Sequence, residues 1–246
     1  MSRALAAARM GLREQRRRPV FVILLLVLPV WFIARATSVT EPVPHRLGLP
    51  GGTELLTNMR DVHAVMMAVI AVGFLAGLCG VFLMLSAREA DRRLVVAGFR
   101  PGEAIAARGI VLASATLVVV LVSLAVAMSN YDVQRPLAFA GALLVVGLLY
   151  GGLGALAGAL FDRVAAVYFM FFAVMVDLGI AQNPMFGDPS GWVTALPGWA
   201  PTQLAMDAAF SAEFHAGTEL ALAAGVVGGL MSVAVWLLRR SFRAGA

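Results

Sequence analysis

There is no lysine in this chain, and all 19 basic residues are arginine. A Walker A loop sets a lysine on the nucleotide phosphates, and Schiff-base catalysis needs a lysine amine. Neither can be built here, so any ATP hydrolysis linked to this chain must come from another one. Cysteine is almost as scarce: Cys79 stands alone inside an apolar run and can form neither an internal disulfide nor a CxxC site. The histidines His45, His63 and His215 are isolated in sequence, without HExxH or other metal spacing, so no metal site is expected. Charge is sparse as well. Only 13% of the 246 residues are charged and 61% are hydrophobic, whereas about a quarter of a soluble domain is charged.

What fills that space is apolar sequence in long runs. Residues 64–87, 109–130 and 137–161 carry no charge, and each reaches the roughly 20 residues that a helix needs to cross the hydrocarbon layer. Lipid admits only helices and closed barrels, and these runs lack the apolar/polar alternation of barrel strands. The expected fold is an all-α integral membrane protein forming a single transmembrane domain. Its six spans are expected at about 19–39, 62–85, 109–128, 137–160, 164–182 and 216–238.

The first 18 residues hold Arg3, Arg9, Arg13, Arg16, Arg17 and Arg18, with Leu5, Ala8 and Leu12 on one helical face. This predicts an amphipathic helix lying along an anionic cytoplasmic surface and its lipids. A cleaved secretory signal fits less well, because the basic region is long and Pro29 and Trp31 stand where small residues belong. Residues 183–215 are rich in Pro, Gly and Trp, and with Pro184, Pro189, Pro197 and Pro201 they predict an irregular, re-entrant or interfacial element anchored by Trp192 and Trp199. With both termini inside, fifteen arginines fall on the cytoplasmic side and four, Arg35, Arg46, Arg60 and Arg135, outside. That asymmetry is the one expected of an inner or plasma membrane protein. The net charge of +5 thus follows from orientation, and no nucleic-acid partner is expected, because the arginines flank apolar spans rather than alternating with aromatics.

Gly73/Gly77, Gly147/Gly151, Gly154/Gly158 and Gly225/Gly229 have the spacing that lets helix backbones approach closely. Packing within the chain is their expected role, pairing of two copies the other. Asp177 is the one acid well inside a span, where a carboxylate must be paired, wetted or protonated. Late in its span, it is expected near the outer interface in a hydrated or capping role, with a place on a translocation path as the competing reading.

Residues 86–108 are too long for a simple link. They read as a charged helical run, a break at Gly98-Phe-Arg-Pro-Gly102 and a return into the third span, offering a charged face to a soluble partner. The alternative is a solvated loop retained by its positive charge. Here the chain resembles the membrane-spanning permease subunits of type-2 ABC (ATP-binding-cassette) exporters. Glu89, Leu94, Gly98, Pro101 and Arg108 look like the family's acid, Leu-x-x-x-Gly turn and basic residue opening span three, and residues 196–210 look like its proline-bearing stretch before the last span. Asp91-Arg92-Arg93 departs from the Gly-Thr pair that often follows the acid.

The resemblance implies a coupling helix within 86–108 that docks on a cytoplasmic ABC ATPase present in two copies, through Glu89, Asp91, Arg92, Arg93, Leu94, Gly98, Arg100 and Pro101. It also implies a second permease copy or paralogue enclosing the path. This chain would bind no cofactor, ATP and Mg belonging to the partner, and would move a lipophilic drug, antibiotic or lipid by alternating access. The reading from another class is an ATPase-independent secondary transporter or channel, which calls for polar or broken helices near the midplane. An embedded enzyme is disfavoured, because no span holds a catalytic arrangement of serine, cysteine, paired acids or metal-binding histidines.

Overall fold

Backbone N–H and C=O groups in hydrocarbon have only one another to bond, so apolar runs of span length coil into helices. The computed structural model describes residues 3–17, 19–96, 101–187 and 191–244. Helix α1 is Arg3–Arg16, α2 Pro19–Val39, α3 Met59–Val96, α4 Pro101–Asn130, α5 Pro136–Leu160, α6 Arg163–Val174, α7 Trp199–Phe210 and α8 Gly217–Ala244. Six of these elements, α2, α3, α4, α5, α6 with its continuation to Ala181, and α8, are long and apolar enough to cross a membrane. The protein is a multi-pass membrane protein.

Helices α3 and α5 form the centre, with 72% and 61% of their membrane segments buried, against 17% for α8. Glycine makes the close approach possible. A Cβ on Gly154 would run into the Gly77 carbonyl, one on Gly80 into the Gly151 carbonyl, and one on Gly158 would lie 2.6 Å from the Val81 carbonyl. Without a hydrophobic drive between helices in lipid, such backbone proximity is what holds them. Three of the four glycine pairs therefore serve packing within the chain. The fourth does not, because a Cβ at Gly225 or Gly229 of α8 meets nothing within 4 Å.

The amphipathic arm forms as α1 and packs on α4. Ala8 is buried, and Gly11 is so close to Val111 that a Cβ there would lie 2.9 Å from its Cγ2. Outside the helices, β1 (Pro44–Leu49) pairs antiparallel with β2 (Thr53–Asn58) across Pro50–Gly52. The all-α expectation had no place for this hairpin, which is too short for a period-2 pattern to stand out among turn residues. Its Leu47 and Leu49 are buried against the bundle.

Helix α3 runs about 15 Å past its apolar segment, from Ser86 to Val96, without a break. The charged run is therefore continuous with the second span rather than a separate helix. Glu89, Asp91, Arg92, Arg93 and Leu94 lie on its last turns, their side chains outside the described residues. Gly98 and Arg100 also lie outside them, and Pro101 opens α4.

Candidate functional site

Helix α6 passes directly into a π-helical stretch, Met175–Ala181. Wide turns of this kind recur at functional positions because they re-aim a side chain. Asp177 sits in that stretch, about 20 Å along from Arg163. Tyr150 lies about 20 Å along α5 from the opposite end, Pro136. The two meet in the middle of the bundle, where the Tyr150 hydroxyl donates to Asp177 Oδ2 at 2.6 Å.

Asp177 is 6% exposed and has no ion-pair partner among the described residues. Of the two expected roles, hydrated or capping, the burial of Asp177 corrects the hydrated one. The reason is tertiary: Val193 and Gly198, from the stretch leading into α7, are brought against Gln182 and Asp177. Neutral donors surround the carboxylate instead of water. Gln182 Nε2 donates to Oδ1 at 3.2 Å and also to the Val193 carbonyl at 3.0 Å, and the Gly198 N–H donates to Oδ2 at 2.9 Å. Gln182 Oε1 is buried without a partner, on a residue 1% exposed.

Gly198 is the cap residue before α7. Asp177 thus receives the positive end of a helix whose first N–H groups have no intrahelical acceptors. Glycine is needed there for space, since a Cβ would lie 2.6 Å from the Tyr150 hydroxyl and 2.7 Å from Asp177 Oδ1. From this point α7 rises for twelve residues, with Ala200, Pro201, Thr202, Leu204, Ala205, Met206, Asp207, Ala208 and Ala209 all buried. The segment before the last span thus contributes a buried helix to the bundle. Trp199 packs against the core at the start of α7, while Trp192 is 72% exposed.

A second aspartate fastens the other end of α7. Asp207, with its side chain 1% exposed, accepts from Arg135 Nη2 at 2.5 Å and from the His215 backbone N–H at 3.3 Å, and its Oδ1 lies 3.2 Å from His215 Nδ1. Arg135 Nε donates to the Ser211 carbonyl at 2.9 Å, and its backbone N–H donates to the Ala208 carbonyl at 3.0 Å. One arginine in the α4–α5 connection thus ties down both the end of α7 and the entry to α8. His215 is not isolated as its sequence context suggested. His63 is not either, with its Nδ1 2.5 Å from the Thr40 hydroxyl.

Sequence reading missed this cluster because Arg135 and Asp207 are far apart in the chain. The one available signal was an arginine beside Pro136 on the side where arginines are rare. Among the described residues, no three His, Cys, Asp or Glu side chains come together as a metal ion would need. No model of a known protein family matches the chain, and no curated protein matches it.

Proposed function

We propose that this protein is the permease subunit of an ATP-driven exporter of the ABC type, with the ends of α1, α3 and α8 on the cytoplasmic side of a plasma or inner membrane. The observation that supports it best is the unbroken α3. Its last ten residues extend beyond the apolar segment and carry most of the charge of residues 86–108. A continuous helix can transmit a displacement at its charged tip into the central α3–α5 pair, where packing through glycine leaves little slack. Glu89, Asp91, Arg92, Arg93, Leu94, Gly98, Arg100 and Pro101 are the proposed contacts with the ATPase. The partner shifts the permease between inward and outward states only by its differential affinity for the two.

Two experiments test this. The chain purified in mild detergent from its native membrane should carry a nucleotide-binding subunit and hydrolyse ATP. The exchange Glu89→Arg with Arg92→Glu should abolish that hydrolysis while leaving the amount of protein in the membrane unchanged, since reversing charges at a docked surface costs on the order of one to a few kcal/mol. Purification without any ATPase, or an exchange variant that still exports, would overturn the reading. For orientation, cysteines at Asp91, Asp162 and Arg243 should label from the cytoplasmic side, and those at Glu54, Asp132 and Asp188 from outside, in a background lacking Cys79.

The second reading, a secondary transporter or channel, is favoured by one observation: α7 is a short buried helix whose N-terminal end points at a carboxylate within the bundle, and half-helix N-termini aimed at anionic groups are what such transporters use at their binding sites. It predicts that the chain alone, reconstituted without ATP, moves solute along an ion gradient.

A further inference from the structure

We propose that Asp177 is a proton-binding site whose occupancy controls the seating of α7, anionic when the helix is seated and protonated when it withdraws. This goes beyond both functional readings and depends on neither.

The geometry supplies the coupling. With α7 seated, the carboxylate takes three donors: the Tyr150 hydroxyl, Gln182 Nε2 and the Gly198 N–H. Only the last belongs to α7, and with it comes the positive end of a twelve-residue helix. Among the described residues, Tyr150 on α5 is the sole titratable group facing Asp177. The face of α3 toward this corner is apolar, with Gly73 set against Tyr150 and Leu178, and α7 carries its one charge, Asp207, at the far end. Among the described residues, then, no cation holds the charge once the helix leaves. Where the surrounding bundle stays closed to water as the helix withdraws, the stranded carboxylate takes up a proton, because burying an unpaired charge is among the costliest changes available to a protein.

Gln182 provides the place for that proton. Both Nε2 hydrogens are committed, to Asp177 and to the Val193 carbonyl, whereas Oε1 is buried without a donor. A protonated Oδ1 becomes a donor, and the Gln182 amide can meet it only by presenting Oε1. Turning the amide also withdraws Nε2 from Val193, in the turn that leads into α7. Protonation therefore loosens the lead-in and removes the charge that the helix end was facing. The linkage sign follows: the seated state binds fewer protons, so seating is favoured at high pH and lost as pH falls.

Trp199, next to Gly198 and packed against the core, reports the seating. In the full chain with Trp31, Trp192 and Trp236 changed to Phe, reconstituted in phosphatidylcholine nanodiscs without any ATPase, acrylamide quenching of Trp199 should rise as pH is lowered from 8 to 4. Asp177→Asn should give the acid level of quenching at every pH, and Asp177→Glu should retain a transition. Tyr150→Phe, which removes a donor from the anion, should move the midpoint upward by about one pH unit, a tenfold gain in proton affinity. This variant keeps the test usable if Asp177→Asn folds poorly. A flat wild-type profile, or a transition that survives Asp177→Asn, would overturn the proposal. So would a transition abolished by His215→Gln instead, because the titration would then belong to the other end of α7. An ATPase-free nanodisc makes failure here distinguishable from failure of the exporter reading.

Discussion

Two aspartates hold the two ends of α7, and they are solvated by the protein in opposite ways. Asp207 faces Arg135 and His215 and lies at the end of the bundle where the chain turns. Asp177 faces a phenol, an amide and a backbone N–H, and lies in the middle. A directly bonded arginine keeps a buried carboxylate charged and paired, which suits a fixed anchor. Neutral donors compensate it only while all of them stay in place, which suits a contact that can be released. The difference assigns a static role to the outer end of α7 and a movable one to the inner end.

Arg135→Ala puts this contrast to its hardest test. It leaves Asp207 buried beside His215 alone, and removing one partner of a buried pair costs about 3–5 kcal/mol. Thermal unfolding in detergent should show a larger loss than for Tyr150→Phe, Gly198→Ala or His215→Gln. The double change Arg135→Ala with Asp207→Ala should recover much of it, because no charge is then stranded. If the single change is neutral, Asp207 is not an anchor.

At the inner end, Tyr150→Phe removes one hydrogen bond to a charged acceptor, an effect of about 1.5–3 kcal/mol. Part of it is recoverable by protonating Asp177, so the loss of stability should shrink as pH falls. A loss independent of pH would make Asp177 as static as Asp207.

Gly198→Ala tests the same contact through space rather than charge. Its Cβ would lie 2.6 Å from the Tyr150 hydroxyl, and overpacking of this kind costs about 1–3 kcal/mol. The variant should resemble acidified wild type in Trp199 quenching while lacking any change in charge. Unaltered quenching would mean that α7 can shift without leaving its seat.

The smallest effect is expected from His215→Gln, which loses the contact from His215 Nδ1 to Asp207 but keeps the backbone N–H and the Arg135 pair. About 0.5–1.5 kcal/mol is the ordinary net worth of one such bond. A loss as large as that of Arg135→Ala would show the histidine, not the arginine, to be the principal partner.

The same contrast between committed and open contacts separates the glycines. Those of α3 and α5 meet backbone across the helix pair, whereas Gly225, Gly228 and Gly229 of α8 meet nothing. Their spacing in sequence is alike. Spacing encodes the capacity for close approach, and only the neighbouring element decides whether it is used.

The six membrane helices and the basic amphipathic arm were legible in the residues alone, because each depends on local composition. About twenty apolar residues must coil in lipid whatever surrounds them. The Pro, Gly and Trp content of residues 183–215 suggests an irregular element, but Trp199–Phe210 within them fold as the regular helix α7. Folding in three dimensions chose the partners: Val193 meets Gln182 beside Asp177, Gly198 brings α7 onto its carboxylate, and Arg135 finds Asp207. The last two contacts join residues far apart in the chain and depend on how deep α7 is carried by its packing on α5. Burial of a carboxylate is a property of its neighbours, so Asp177 read alone suggested water where the folded chain supplies a phenol, an amide and the end of a helix.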